Sequence, residues 1–436
     1  MSFFNGIISI SDIYTLLFVV FGVLLVGYAL GRITIKGVSL GDAGVFIIAL
    51  LAGALFFGVS ESGALNFMFD SYKNATCEAC KTVCTEHVPY DFSAALSLIE
   101  ALGLVLFVTS VGYIAGPKFF GNFKKNFKSY VLLGLIIIIA GGLAALGCVY
   151  MGDLIGYGGS IGDNREGFVA MIVGLLSGSL TSTPAFSAAK ETVAAEYQSL
   201  VSVGHGIAYI FGVVGVVLFV QIIPKLTKAN MDEERAKLVI KSENEEKKPV
   251  GKLFEIDHMG IAGFSLAAIL GVFLGNIKIP LSIIGLAGNF SLTTTGGCLL
   301  ASLILGHFGR FGKVSIMPAQ STLKLFRELG LVLFLVGAGI PGGAEFVANF
   351  DAMYFVYGIV MTILPMIIGY LFAKYVLKLS LLNSLGSLTG GMTSTPALGT
   401  LIGVAGTEDV AAAYAATYPI ALIAVVLVSQ LLIILF

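Results

Sequence analysis

The sequence predicts an all-α integral membrane protein made of two inverted repeats, each with about five transmembrane helices and one re-entrant hairpin. Three observations carry this expectation. Hydrophobic residues make up 57% of the 436-residue chain and charged residues 12%, with 55 glycines and a mean hydropathy of +0.96, a composition outside the soluble range. Segments of the first half recur in the second in the same order. Basic and acidic loops alternate along the chain.

A helix needs about 20 apolar residues to cross the hydrocarbon core. Ten windows of about that length are present: 13–31, 43–60, 96–116, 130–150 and 200–224 in the first half, and 259–276, 287–306, 323–342, 352–373 and 411–436 in the second. Each half holds one further apolar segment, 167–195 and 381–405. The repeats therefore read as 1–224 and 259–436, joined by a linker at 225–258. The net charge of −1 gives no basic face for nucleic acid, and the N-terminal MSFFNGIISISDIYTLL lacks the Lys/Arg of a secretory leader.

The duplication is visible without a gap. LGLVLFVTSVGYIAGPKFFGNF (Leu102 to Phe123) matches LGLVLFLVGAGIPGGAEFVANF (Leu329 to Phe350), and GYALGRITI (Gly27 to Ile35) matches GVFLGNIKI (Gly271 to Ile279). GSLTSTPA (Gly178 to Ala185) returns as GGMTSTPA (Gly390 to Ala397). Three matches in one order identify an internal repeat.

Loop charge then sets orientation, because Lys and Arg collect in short cytoplasmic loops. The loops with Arg32 and Lys36, and with Lys118, Lys124, Lys125 and Lys128, belong inside; the acid-rich 61–95 and 151–166 belong outside. The linker, with eight Lys/Arg, is expected in the cytoplasm, which requires 167–195 to enter and leave on the outer side. Carried onward, the count makes 381–405 dip in from the inner face and leaves both termini outside. The expected location is the plasma membrane, with lipid as solvent.

Non-helical backbone at membrane depth occurs where it is buried in protein or lines a cavity, and proline disfavours helical geometry just before itself. Thr-Ser-Thr-Pro thus reads as a hairpin tip. The free amides of the returning half-helix, with hydroxyls beside them, form a site for a small anion without a buried cation. The candidate substrate-binding residues are Thr181, Ser182, Thr183 and Pro184, with Thr393, Ser394, Thr395 and Pro396. One copy alone reads equally as a packing device; two copies in inverted repeats favour binding.

On these motifs the chain resembles the aspartate:alanine exchanger family of bacterial membrane transporters, over nearly all of the membrane portion of both halves. The resemblance implies secondary transport of small carboxylates or amino acids by antiport, as a homodimer, with elevator-like movement of a hairpin-bearing domain. Many members carry paired regulatory domains between the halves. Here KLTKANMDEERAKLVIKSENEEKKPVGK occupies that place, so regulation by such domains is not expected. The repeats also differ where AYIFG (Ala208 to Gly212) stands against TYPIA (Thr417 to Ala421).

Other residues are weighed singly. Glu100, Arg327 and Glu328 lie at the mouths of the duplicated third helices, where they read as interfacial ion pairs. Lys190 and Glu191 follow the first tip and are expected at the outer surface. His205, opposite Tyr414 in the other repeat, is a candidate proton or substrate contact, weighed against a hydrogen-bonded structural role. CEACKTVC, with Cys77, Cys80 and Cys84 before His87, has zinc-like spacing, but its external address favours a disulfide. Cys148 and Cys298 read as small core residues. No cofactor, resident metal or catalytic constellation is expected, so the chain reads as a transporter rather than an enzyme. A sodium-coupled carboxylate symporter is the nearer rival, and a channel, which needs a continuous polar lining, the more distant one.

Overall fold

The computed structural model describes residues 2–3, 8–9, 12–35, 38–39, 41–56, 92–125, 127–156, 161, 164–238, 254–280, 289–407 and 409–436. Cys77, Cys80 and Cys84 lie outside them. The first half contains α1 (Asp12–Gly31), α2 (Ala43–Phe56), α3 (Phe92–Lys125), α4 (Leu132–Ile155), α5 (Arg165–Ser179), α6 (Thr183–Thr192) and α7 (Gln198–Leu226). A short α8 (Met231–Lys237) lies in the linker. The second half repeats the order with α9 (Ile261–Gly275), α10 (Thr293–Phe308), α11 (Gln320–Phe346), α12 (Ala352–Leu371), α13 (Leu381–Gly391), α14 (Thr395–Ala405) and α15 (Val410–Leu435). The protein is a multi-pass membrane protein, mostly helical, with a few two-residue ribbons at helix ends.

Among the described residues seven helices are long and apolar enough to cross a membrane, namely α1, α3, α4, α7, α11, α12 and α15. The other three windows fall on shorter helices, α2, α9 and α10, of 14, 15 and 16 residues. Chain chemistry sets the limits of the last two. Asp257 accepts from the Ala262 and Ile261 amides at 2.8 Å each, which caps α9 and holds its carboxyl below the usual range. At the other end Asn276 Nδ2 donates to Val272 O at 2.8 Å, and the chain turns into a ribbon of Ile279–Pro280 with Asn289–Phe290. Asn289 and Phe290, which hydropathy counted as helix, are strand.

The helices sort into two bundles, and each bundle draws on both halves. In the first, α2 packs on α11 and α10 on α3, with α3 against α11 between them and α1 and α9 outside. The second holds the helical pairs: α5 packs on α7, α13 on α15, α12 reaches across to α5 and α7, and α4 to α13 and α15. Its core includes Leu133, Ile137, Met171, Leu175, Val201, Leu385 and Leu388, with free Cys148 buried in the same mass. The helices of the two halves thus interdigitate.

In lipid the gain from burying apolar surface is small, and helix association depends on close packing of small residues. The first bundle shows it twice, once in each half. A Cβ on Gly44 would lie 2.5 Å from Gly27 O, and one on Gly297 2.1 Å from Gly271 O, so the two helix pairs meet backbone to backbone at matching positions of the repeats. The linker helix docks on the second bundle. Glu234 Oε2 accepts from Leu381 N at 2.8 Å at the start of α13, and Arg235 Nη1 donates to Ala405 O at 2.9 Å at the end of α14.

Candidate functional site

The two TSTP segments adopt one backbone path. After α5, Leu180 has φ −87°, ψ 2°, and Ser182 is extended at φ −103°, ψ 98°; after α13, Met392 has φ −79°, ψ 2°, and Ser394 φ −94°, ψ 97°. Between them Thr181 and Thr393 are left-handed, with φ 52° and 51°. The turn closes each helix by two bonds. Thr181 N donates to Gly178 O at 2.9 Å and Ser182 N to Ser177 O at 2.8 Å, matched by Thr393 N to Gly390 O at 3.1 Å and Ser394 N to Thr389 O at 2.9 Å. Glycine is the usual residue at such a left-handed helix end, and a β-branched residue there costs roughly 1–2 kcal/mol.

The reason for threonine lies across the site. Thr181 Oγ1 donates to Met392 O at 3.0 Å, and Thr393 Oγ1 donates to Leu180 O at 2.8 Å. The two tips meet and exchange reciprocal hydrogen bonds, each satisfying a carbonyl left free by the end of the other's helix. Sequence reasoning brought these residues together; it did not show that the first threonine of each motif faces the opposite tip.

The tips differ in access. Residues from Gly167 to Lys190 are buried without interruption, whereas Thr395 is exposed and Pro396 half-buried. Ser182 Oγ accepts from Ala185 N at 3.3 Å and caps α6. Ser394 makes no cap bond, and its buried hydroxyl has no partner. Thr395 Oγ1 lies 3.3 Å from Tyr414 Oη, and Tyr414 stacks on Tyr418 at 5.0 Å. The start of α14 is thus the open one, flanked by hydroxyls from Ser394, Thr395 and Tyr414.

His205 holds the matching place in the first repeat and is fully buried. Its ring stacks on Phe186 at 4.2 Å and Tyr209 at 5.0 Å, with Phe46 edge-on at 5.4 Å. Ser177 Oγ is 2.7 Å from Gly174 O and 2.8 Å from His205 Nδ1. A carbonyl can only accept, so the serine proton goes to Gly174 and Nδ1 donates to the serine. Nε2 has no partner. The histidine thus joins α7 to α6 through Phe186 and to α2 through Phe46.

The charged residues require one correction. Lys190 and Glu191, expected at the outer surface, face the seam between the bundles. Lys190 Nζ binds Glu100 Oε1 at 2.7 Å with side-chain exposures of 8% and 18%, and Glu191 reaches the start of α10 through Thr295. The helix α6 is buried on every side from Thr183 to Lys190, so a residue two turns past the tip stays enclosed. Arg327 and Glu328 pair with each other at 2.5 Å at a half-exposed position. A cation beside the hairpins was the feature sequence reasoning missed; the only sequence signal was its place directly after the alanines of α6.

Known proteins resemble this chain in sequence. A family model for Asp-Al_Ex, described as a predicted permease membrane region, matches residues 82–225 and 263–434. An uncharacterized transporter of Bacteroides thetaiotaomicron is 25% identical over 95% of this chain and 97% of its own length. Another uncharacterized transporter, from Desulfotalea psychrophila, is 24% identical over 96% of each. A putative transport protein of Edwardsiella ictaluri is 39% identical over 38% of this chain and 31% of its own. The first of these alignments spans 572 positions against 436 residues here, so that relative has residues within the aligned span that this chain lacks.

Proposed function

Because the chain belongs to the aspartate:alanine exchanger family of membrane transporters, we propose that it is a secondary transporter that exchanges small carboxylates or amino acids across the plasma membrane. The observation that carries this reading is the meeting of the two TSTP tips beside an uncapped helix start at Ser394 and Thr395. A helix N-terminus with free amides and hydroxyls favours a carboxylate. In this reading Thr181 and Thr393 hold the tips together. Ser394 and Thr395 take the substrate carboxylate, Tyr414 lies beside it, and Ser182, Thr183, Pro184 and Pro396 shape the tips.

The proposal extends to movement. The bundle holding both hairpins carries the substrate, and the bundle of α1, α2, α3, α9, α10 and α11 stays in place, in a homodimer, with the repeats inverted and the linker cytoplasmic. Proteoliposomes loaded with unlabelled carboxylates and tested for uptake of the labelled compound provide the test. Thr395→Val keeps the side-chain shape and removes one hydroxyl. It is expected to weaken substrate binding about tenfold to a hundredfold, from the roughly 1.5–3 kcal/mol of a hydrogen bond to a charged group. Thr183→Val, on the buried tip, has the smaller effect. Unchanged exchange in both variants would remove the carboxylate from the tips.

A further inference from the structure

A second polar cluster lies at the seam, away from the open tip. Glu191, in the last turn of α6, accepts from Thr295 N at 3.3 Å and from Thr295 Oγ1 at 3.1 Å. Thr293 lies near the same carboxylate. Gln430, on α15, is fully buried; its Nε2 donates to Thr293 Oγ1 at 3.3 Å, and its Oε1 has no partner. Among the described residues no Lys, Arg or His forms an ion pair with Glu191, since neighbouring Lys190 is taken by Glu100.

Capping the start of α10 accounts for Glu191 by itself. It leaves the amide oxygen of Gln430 unexplained, and an unsatisfied buried acceptor costs about 1–3 kcal/mol. These groups form a set of hard oxygen donors: one carboxylate, two hydroxyls and one amide oxygen. The set carries a single negative charge, too little for calcium, which takes six to eight oxygens with several carboxylates. The hydrogen bonds within it, at 3.1–3.3 Å, are longer than the usual range, so these groups only partly satisfy one another. We propose that a sodium ion binds here, between Glu191, Thr293, Thr295 and Gln430.

The ion neutralises Glu191 and gives the Gln430 oxygen a partner. Its ligands come from both bundles, Glu191 and Gln430 from the one with the hairpins and Thr293 and Thr295 from the other. Sodium therefore binds the observed arrangement of the bundles best and, by linkage, stabilises it.

The test uses the purified full chain without any carboxylate. Unfolding temperature is followed while sodium chloride replaces choline chloride, and separately potassium chloride, at fixed ionic strength. The expected result is a rise of at least about 2 °C that saturates with sodium, is smaller with potassium, and is lost in Glu191→Gln and Gln430→Leu. Should Glu191→Gln fail to fold, Thr295→Val, which removes one hydroxyl ligand at constant shape, is expected to shift the sodium midpoint upward at least tenfold. Equal stability in sodium and choline overturns the proposal. So does a potassium response as large as that to sodium, a stability that follows pH and ignores sodium, or variants that keep the parent's response. Substrate is absent, so failure here leaves the reading of the tips untouched.

Discussion

Thr181 and Thr393 place β-branched side chains on left-handed backbone, a conformation that would suit glycine better. Their hydroxyls offset that strain by crossing to the opposite tip. Thr181→Val and Thr393→Val each keep the strain and lose the bond, so each should lower stability by about 1 kcal/mol, and the double variant should show coupling, because the two bonds hold the same contact. Chemical denaturation of single and double variants measures this; strict additivity would mean that the tips dock independently of these hydroxyls.

At the scale of elements, both helical pairs lean on the following long helix through glycines, Gly174 and Gly178 in the first and Gly386 and Gly390 in the second. A Cβ on Gly178 would lie 2.5 Å from His205 O, and one on Gly390 2.7 Å from Tyr414 O. Those contacts are with backbone, which cannot rotate away. Gly178→Ala and Gly390→Ala should therefore each destabilise by roughly 1–3 kcal/mol through overpacking, seen as a lower unfolding temperature. The effect of Gly178→Ala should be the larger, because its hairpin is enclosed throughout. A neutral Gly178→Ala would show that α5 can shift away from α7 without cost.

For the whole molecule, the two-bundle division makes movement testable. Ser199 Oγ donates to Glu345 Oε2 at 2.6 Å between α7 and α11, one from each bundle. Cysteines at Ser199 and Glu345, joined by a short bifunctional reagent, should stop exchange in proteoliposomes while substrate still binds. Undiminished exchange after complete cross-linking would mean that the bundles do not slide. Orientation is a separate matter: a cysteine replacing Ser242 in the linker, in a background without native cysteines, should be shielded from an impermeant thiol reagent in whole cells. Labelling from outside would overturn the inverted topology.

The sequence by itself determined the membrane class and placed the Thr-Ser-Thr-Pro breaks where α5 gives way to α6 and α13 to α14. Hydropathy and repetition are local properties of the chain, and a Thr-Ser-Thr-Pro break in an apolar segment is visible without a fold. Helix length was less legible for α9 and α10, since Ile279 and Pro280 pair with Asn289 and Phe290 as a ribbon between them. Only the tertiary structure decided that the halves interdigitate, that Thr181 and Thr393 bond each other's tip rather than solvent, that one tip is enclosed and the other open, and that Lys190 is buried against Glu100. Each of these depends on partners separated by ninety to more than two hundred residues. A hydroxyl or a charge in a sequence carries no mark of which distant carbonyl or carboxylate will face it; close packing of the small-residue helices makes that choice.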